Sequence, residues 1–183
     1  MERALLPTTH SNMTIVFKNQ GDHGRVLEHY RKVLANMLKT LGSEHPAVAN
    51  TYNSMAVVLE EQGEYDQAMQ YHRKALSIQL KARGPEHPDV GGTYNGMANV
   101  FQKKADYAQS MGHYRKALAI GLKSLGADHP KVGATYNNMA VVFERQADYD
   151  RATEYYSKAL AIRLKVLGPK HSDVSAETVC LGR

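Results

Sequence analysis

The chain has a single cysteine, no long apolar run and none of the short motifs that mark common enzymes. Cys180 alone excludes an intrachain disulfide and a cysteine-based zinc cluster, and it favours a reducing compartment. No apolar stretch approaches the roughly 20 residues that span a bilayer. Glu2 and Pro7 interrupt the N-terminal segment where a signal peptide is apolar. We therefore expect a cytoplasmic protein with no membrane association.

Catalytic signatures are also missing from the sequence. There is no glycine-rich phosphate loop, no nucleophile elbow and no HExxH motif. The apolar fraction of 43% and the charged fraction of 22% are typical of a folded globular protein. We therefore predict a folded chain that is not an enzyme and that needs no cofactor and no metal. The net charge of +5 leaves an acidic partner or nucleic acid open as a ligand.

What the sequence does contain is a repeated string. EHPAVANTYNSMA begins at Glu44, EHPDVGGTYNGMA at Glu86 and DHPKVGATYNNMA at Asp128, so the period is 42 residues (86 − 44 = 128 − 86 = 42). His171 continues the period, although Ser172 replaces the proline. A fixed period of this size is typical of stacked-repeat proteins.

Each repeat reads as a helical hairpin. Pro46 suits a first helical turn, and apolar residues follow it at steps of three and four until Gly63. A second amphipathic stretch then runs to Gly84 and Pro85, which end it. The pattern predicts first helices near 5–20, 46–62, 88–104 and 130–146, and second helices near 23–41, 65–83, 107–125 and 149–167. Small residues recur where the two helices of a hairpin must approach closely: Ala56, Ala98 and Ala140 in the first helices, and Ala75, Ala117 and Ala159 in the second.

Within a repeat, the order Tyr52, Met55-Ala56, Leu59, Gly63, Tyr65, Ala68, Ala75 resembles the tetratricopeptide (TPR) repeat. The 42-residue period, the HPxV helix start and the KALxIxLKxLG second helix are similar to the repeats of kinesin light chains. The resemblance implies an all-α, right-handed superhelical solenoid in a single domain over residues 1–183. Its repeats would be about 3–44, 45–86, 87–128 and 129–170, with a partial fifth helix in 171–183.

The resemblance also implies a function, which is a protein-interaction scaffold that binds an extended peptide or partner segment in a concave groove. In TPR arrays one face of the first helices lines that groove. The candidate groove residues are Asn50, Asn53, Asn95, Asn99, Lys103, Asn137, Asn138 and Arg145. Lys103 and Arg145 would favour acidic ligand residues, opposed by Glu60 and Glu61 toward the other end. An asparagine replaces a lysine expected in chaperone-type clamps, so a chaperone C-terminus is not the expected ligand.

Asn53, Asn95 and Asn137 recur at one position, although a helix interior disfavours asparagine. A carboxamide offers both a donor and an acceptor, so a row of them could pair with the main chain of an extended peptide. In the alternative interpretation the asparagines bond one another across the repeats and only fix the stacking.

Other recurring side chains also allow two interpretations. His45, His87, His129 and His171 could order the turn before each first helix or bind metal, and we expect the first because equivalent positions lie too far apart to share an ion. The tyrosines could pack the core or stack on bases, and we expect packing; they are Tyr52, Tyr94 and Tyr136 in one row and Tyr65, Tyr107 and Tyr149 in another.

Basic residues recur on the second helices, where we expect a solvated convex wall. They include Lys74, Lys116 and Lys158, and also Lys39, Lys81, Lys123 and Lys165. The alternative is a surface for nucleic acid or an acidic partner. A further alternative is self-association through the C-terminal partial repeat, by way of Val179 and Leu181.

Overall fold

The computed structural model describes residues 22–167, and every regular element in that range is an α-helix. The helices are α1 (His23–Thr40), α2 (Pro46–Glu61), α3 (Tyr65–Arg83), α4 (Pro88–Lys103), α5 (Tyr107–Ser124), α6 (Pro130–Arg145) and α7 (Tyr149–Leu167). The all-α prediction is confirmed, and each predicted helix of this range is present. The helix expected near 5–20 and the partial repeat 171–183 lie outside the described residues.

The recurring histidines cap the first helix of each repeat. His45, His87 and His129 are the N-cap residues of α2, α4 and α6, and a proline follows each of them. In each case the ring Nδ1 accepts a 3.1 Å hydrogen bond from the backbone N–H two residues on. The histidine thereby satisfies one of the free N–H groups of the helix start. The prediction that these residues order the turn is confirmed, whereas His171 lies outside the described residues.

Each of the helices α2, α4 and α6 is followed by a residue with left-handed backbone geometry. That residue is Gly63 after α2, with a φ of 81°, but Ala105 after α4 and Ala147 after α6, with φ of 59° and 58°. The next backbone N–H bonds back to the carbonyl five residues earlier, as in Asp148 to Phe143 at 2.9 Å. Alanine in this geometry is strained because of its Cβ. The third and fourth repeats therefore carry strain that the second repeat avoids.

The chain divides into two compact units. Unit 1 ends at Ala82 and unit 2 begins at Arg83, four residues before the predicted start of the third repeat. In the described range unit 1 contains α1, α2 and α3 as far as Ala82, and unit 2 contains α4 to α7. The single domain over residues 1–183 stays a prediction.

Each unit has its own apolar core. In unit 1, Val48 and Ala49 of α2 pack with Ala75 and Ile78 of α3. The core of unit 2 is larger and joins two hairpins; it comprises Ala98, Met111, Tyr114, Met139, Val142, Phe143 and Ala152. The six recurring alanines are between 0% and 3% exposed, as their predicted role in close helix packing requires. Burial of these apolar side chains is the main stabilising contribution to both units.

Two searches of the described residues gave no candidate. None of the helices in residues 22–167 is long and apolar enough to cross a membrane. Within the same range, no group of three or more histidine, cysteine, aspartate or glutamate side chains is arranged to hold a metal ion.

Candidate functional site

Three predicted binding residues of unit 2 lie along one face of α4. Asn95, Asn99 and Lys103 follow one another at intervals of four residues, so they project from the same side of the helix. Asn95 and Asn99 are half-buried, and Lys103 is exposed. We refer to these three residues as the α4 face.

The carboxamide of Asn95 is held in one orientation by the neighbouring hairpin. Its Nδ2 donates a 2.9 Å hydrogen bond to Oγ1 of Thr135 on α6. The Thr135 hydroxyl uses its own proton to bond the backbone carbonyl of Lys131 at 2.9 Å. Since Oγ1 can then only accept from Asn95, the amide nitrogen must face Thr135. The Asn95 Oδ1 is buried and finds no hydrogen-bond partner among the described residues.

The carboxamide of Asn99 is held by its own hairpin. Tyr114 on α5 is completely buried, and its hydroxyl contacts Oδ1 of Asn99 and lies 3.1 Å from Oε1 of Gln102. With Oδ1 of Asn99 toward the Tyr114 hydroxyl, Nδ2 is left as the group that can serve a ligand. Asn95 and Asn99 lie about 6 Å apart along the helix axis.

A cleft of about 200 Å³ lies beside Asn95, between α4, α5 and the start of α6. Its lining residues are mostly small or apolar: Pro88, Gly91, Gly92, Asn95, Ala117, Gly121, Leu125, Lys131, Ala134 and Thr135. The two adjacent glycines differ in their surroundings. A Cβ on Gly91 would lie 3.3 Å from Cγ2 of Ile120, whereas a Cβ on Gly92 would meet no atom within 4 Å. Gly91 thus permits close packing of α4 on α5, and Gly92 leaves the cleft open.

The predicted groove residues of α6 make fewer hydrogen bonds to the rest of the chain than those of α4 do. Asn137 and Asn138 are half-buried, and their side chains make no hydrogen bond within the described part of the chain. Arg145 is exposed and, like Lys103, has no ion-pair partner there. Unit 2 therefore presents two cations beside its carboxamides.

The equivalent asparagine of unit 1 has a different partner. Oδ1 of Asn53 lies 2.9 Å from Nδ1 of His72 on α3. His72 is 2% exposed, and this burial lowers the pKa of its imidazole to about 4, so the ring is neutral at pH 7. Since an amide oxygen only accepts, Nδ1 carries the proton. Nε2 is buried and finds no hydrogen-bond partner within residues 22–167.

The remaining predicted residues of unit 1 fall in different environments. Asn50 is exposed. Glu60 is only 9% exposed, whereas Glu61 is exposed and lies 3.6 Å from Nδ1 of His23 on α1. The two carboxylates expected to form an acidic end of the groove thus differ in their access to a ligand.

Sequence reasoning missed the second-helix residues that reach the first helix of their hairpin. They are His72, Tyr114 and Tyr156, and the hydroxyl of Tyr156 donates to Glu144 at 2.7 Å. The three positions are 42 residues apart, so the repeat itself was the available signal. Sequence reasoning also missed Thr51, Thr93 and Thr135, for which the repeat was again the available signal. Each of them precedes the tyrosine of a TYN motif. The two interpretations of the asparagines omitted these partners: Asn95 bonds Thr135, and Asn53 bonds His72.

The tyrosines of the first helices pack within their hairpins, whereas those that begin the second helices differ in exposure. Tyr52 stacks on Tyr71 at 5.6 Å between centroids, Tyr94 lies 5.8 Å from His113, and Tyr136 lies 5.8 Å from Tyr155. Tyr107 packs against the unit 2 core. The packing prediction was wrong for Tyr149, which is 65% exposed. The described part of the chain contains no following hairpin that could cover it.

Six of the recurring lysines of the second helices have partners within the chain. Lys74, Lys116 and Lys158 lie over tyrosine rings of the first helices. Lys81 pairs with Glu44 at 3.2 Å, Lys123 with Glu86, and Lys165 with Asp128 at 2.8 Å. Each of these exposed pairs joins the end of a second helix to the start of its own hairpin. No feature of these rows favours nucleic acid as a ligand.

Comparisons with known proteins agree with this architecture. The tetratricopeptide repeat family model matches residues 5–81, 48–120 and 89–165. No curated protein sequence matches the chain. Among solved structures, BtubC (BKLC) from P. vanneervenii superposes with a TM-score of 0.82 and 25% identity, over 97% of this chain and 71% of BtubC.

Two further solved structures show the fold. A protein from Podospora anserina, described as a kinesin light chain with nearly identical TPR-like repeats, has a TM-score of 0.74 and 22% identity, over 97% of this chain and 84% of its own. The N-terminal domain of stress-induced protein-1 from C. elegans has a TM-score of 0.55 and 14% identity, over 75% of this chain and 97% of its own. The predicted resemblance to TPR solenoids of the kinesin-light-chain kind is confirmed.

Proposed function

Because the chain belongs to the tetratricopeptide repeat family, whose members are generally protein-interaction scaffolds, we propose that it binds an extended peptide segment of a partner protein. The binding surface is formed by the first helices of unit 2, and no catalysis is involved. The observation that carries this proposal is the α4 face, on which two carboxamides and an exposed cation project from one side of a first helix.

The chemistry of the α4 face suits a peptide main chain. An extended peptide presents N–H and C=O groups along each edge, whatever its sequence. The amide nitrogen of Asn99 can donate to a C=O, and the carboxamide of Asn137 on α6, which is half-buried, can both donate and accept. Because the Asn99 side chain is already oriented by Tyr114, little conformational entropy is lost when it binds.

The charges of unit 2 favour acidic side chains in that peptide. Lys103 at the end of α4 and Arg145 at the end of α6 are exposed cations that no carboxylate of the described chain neutralises. Cations of this kind raise the association rate of an acidic ligand and fix its register. The self-association alternative concerns Val179 and Leu181, which lie outside the described residues.

The test is a selection from a displayed random library of 12-residue peptides. We expect enriched peptides to contain acidic residues and to bind in titrations followed by fluorescence anisotropy. An Asn95→Ala, Asn137→Ala double variant should bind them at least about tenfold more weakly. A Gln109→Ala control, on the exposed surface of α5, should bind as the wild type does. An absence of enriched peptides, or equal affinity for the double variant, would contradict the proposal.

A further inference from the structure

We propose that the C-terminal segment, residues 171–183, docks in a cleft at the end of unit 2, and that Glu177 holds it there by pairing with Arg163 of α7. The proposal goes beyond the peptide-binding function and does not depend on it. The segment itself lies outside the described residues, so its docking site is inferred from the contacts that equivalent hairpins make.

The cleft in question lies between α6 and α7 and has a volume of about 170 Å³; we refer to it as the end cleft. Five of its lining residues stand 42 positions after residues that line the cleft beside Asn95. These five are Pro130, Gly133, Ala134, Ala159 and Arg163. In the cleft beside Asn95 the following first helix supplies another wall, through Lys131, Ala134 and Thr135. The same wall of the end cleft falls at positions 173, 176 and 177, which belong to the C-terminal segment.

The segment has the apolar pattern of a first helix in this register. Val174 falls at the position of Val132, and Leu181 at that of Met139. Val132 and Met139 are each 1% exposed. Val132 packs on the preceding hairpin, because its Cγ2 lies 3.1 Å from the place of a Cβ on Gly121. Val174 has the same position relative to α7, and burial of its side chain favours docking.

Glu177 falls at a position that the fold buries. The equivalent residues, Thr51, Thr93 and Thr135, are 7%, 1% and 2% exposed. A carboxylate needs a cation or hydrogen-bond donors at such a position, because its transfer from water costs free energy. Docking therefore requires a specific partner for Glu177, which a threonine does not require.

The contact between Thr51 and Met37 identifies that partner. The hydroxyl of Thr51 on α2 lies 3.4 Å from the sulfur of Met37, which is 14 residues earlier on α1. The residue 14 positions before Glu177 is Arg163 (177 − 14 = 163). Arg163 is half-buried and lines the end cleft, so its guanidinium is placed to pair with a carboxylate that enters there.

The residues at these two positions change together along the sequence. The first three pairs are Met37 with Thr51, Gln79 with Thr93 and Gly121 with Thr135, and none of these residues is charged. Only the last pair, Arg163 with Glu177, combines opposite charges. A described first helix of a second copy would bring a threonine to the end cleft and supply no carboxylate. The charges therefore favour the chain's own segment as the occupant.

A second contact of Glu177 follows from the hydrogen bond between Asn95 and Thr135. Nδ2 of Asn95 donates to Oγ1 of Thr135, which is 40 residues further on. Asn137 is the equivalent of Asn95, and Glu177 is 40 residues after it (137 + 40 = 177). The side chain of Asn137 makes no hydrogen bond within residues 22–167. The two carboxylate oxygens of Glu177 can accept from Arg163 and Asn137 at the same time.

The test is a charge exchange in the full chain, followed by thermal unfolding. Arg163→Glu places two carboxylates in the end cleft, and Glu177→Arg places two guanidinium groups there. Each single change should lower the Tm by about 4 °C or more. The Arg163→Glu, Glu177→Arg double variant restores an ion pair and should return to within about 2 °C of the wild type.

The matched control combines Lys165→Glu with Glu177→Arg. It has the same net charge as the exchange, but Lys165 is exposed and pairs with Asp128. The losses of its two single changes should therefore add, with no rescue. Rescue in this control, or none in the exchange, would overturn the pairing of Arg163 with Glu177.

A second readout follows docking in the folded protein. Cys180 is the single cysteine of the chain and falls at the position of Asn138, which is half-buried. Docking should slow its alkylation by iodoacetamide, which is a neutral reagent. We expect Arg163→Glu to raise the alkylation rate by about threefold or more, and the exchange to restore the wild-type rate. The same rate in all three proteins would overturn docking of the segment.

The protein concentration shows which copy supplies the segment. If the segment is the chain's own, the wild type sediments as a monomer, and its Tm is the same at about 5 μM and about 200 μM. A dimer that is lost in Arg163→Glu and restored by the exchange would overturn docking within one chain. None of these outcomes depends on peptide binding, so failure of this proposal and failure of the proposed function are distinguishable.

Discussion

Units 1 and 2 contain the same repeat but differ in how the two helices of a hairpin are joined by polar contacts. In unit 1 a buried imidazole, His72, reaches Asn53. In unit 2 the equivalent residues are Tyr114, which reaches Asn99, and Tyr156, which reaches Glu144. A tyrosine is longer than a histidine, so its hydroxyl reaches further along the first helix, to a residue four positions on for Tyr114 and seven positions on for Tyr156. The repeat thus fixes the backbone and leaves these contacts free to vary.

The difference changes which atom of the asparagine is bonded within the chain. The side-chain oxygen of Asn53 bonds His72 of its own hairpin, whereas in Asn95 the amide nitrogen bonds Thr135 and the oxygen is buried without a partner among the described residues. The same TYN motif therefore has two chemical outcomes. The partner of the asparagine, and not the asparagine alone, decides which of its atoms is bonded within the chain.

The largest expected effect distinguishing the units is the pH dependence of unit 1. The imidazole of His72 has a pKa of about 4 in the folded chain, and an unfolded histidine titrates near 6.5. As the pH falls below 6.5 the unfolded chain takes up a proton that the folded chain does not. Stability should therefore be lost, by about 3 kcal/mol between pH 7 and pH 4.

Urea unfolding at several pH values would measure this loss. His72→Gln keeps an N–H donor for Asn53 and removes the titrating ring. Between pH 7 and pH 4 the variant should therefore lose about 3 kcal/mol less stability than the wild type does. Equal declines in the variant and the wild type would show that His72 is not buried in neutral form.

The next effect concerns the two tyrosines of unit 2. Tyr114→Phe removes the donor of a completely buried hydroxyl, and we expect the free energy of unfolding to fall by about 1–2 kcal/mol. Tyr156→Phe removes a hydroxyl that bonds the exposed Glu144, so water can replace it and the loss should stay below about 0.5 kcal/mol. Denaturant unfolding of both variants gives the comparison. Equal losses would mean that burial does not set the strength of this contact.

A smaller effect is expected where the first helices end. Ala147→Gly removes a Cβ from left-handed geometry and should raise the free energy of unfolding by about 0.5–1 kcal/mol. Gly63→Ala makes the reverse change at the equivalent position of unit 1 and should lower it by a similar amount. Thermal unfolding of the two variants would show shifts of opposite sign. Shifts of the same sign would contradict the assignment of strain.

The smallest effect should come from the exposed ion pairs. Lys81→Gln in unit 1 and Lys165→Gln in unit 2 each remove one pair, with Glu44 and Asp128 respectively. Because both partners are well exposed, each change should cost less than about 0.5 kcal/mol, and added salt should reduce the cost. A loss well above that value in one unit would show that its hairpin end depends on charge.

Much of the fold could be predicted from the sequence because the repeat gives the same signal several times. Pro46, Pro88 and Pro130 mark the first helices, and the recurring alanines mark the close helix contacts. The position of Asn95 on a first helix followed from its register. Its partner did not, because a hydrogen bond to a residue 40 positions away depends on how two hairpins pack.

The exposure of Tyr149 was missed for a related reason. The repeat pattern assigns the same role to Tyr107 and Tyr149, but a packed tyrosine also needs a neighbour to cover it. The pKa of His72 likewise depends on burial, which the period alone does not give. Local patterns predicted the helices, whereas these properties arise from contacts between them.

The most direct test of peptide binding by unit 2 is to measure the affinity of one enriched peptide for Gly92→Leu and Gly112→Leu. Both glycines are exposed positions within helices, and a Cβ at either would meet no atom within 4 Å. Only Gly92 lines the cleft beside Asn95. We predict that Gly92→Leu weakens binding by at least about tenfold while Gly112→Leu binds as the wild type does. Equal affinities for the two variants would contradict the placement of the binding site on unit 2.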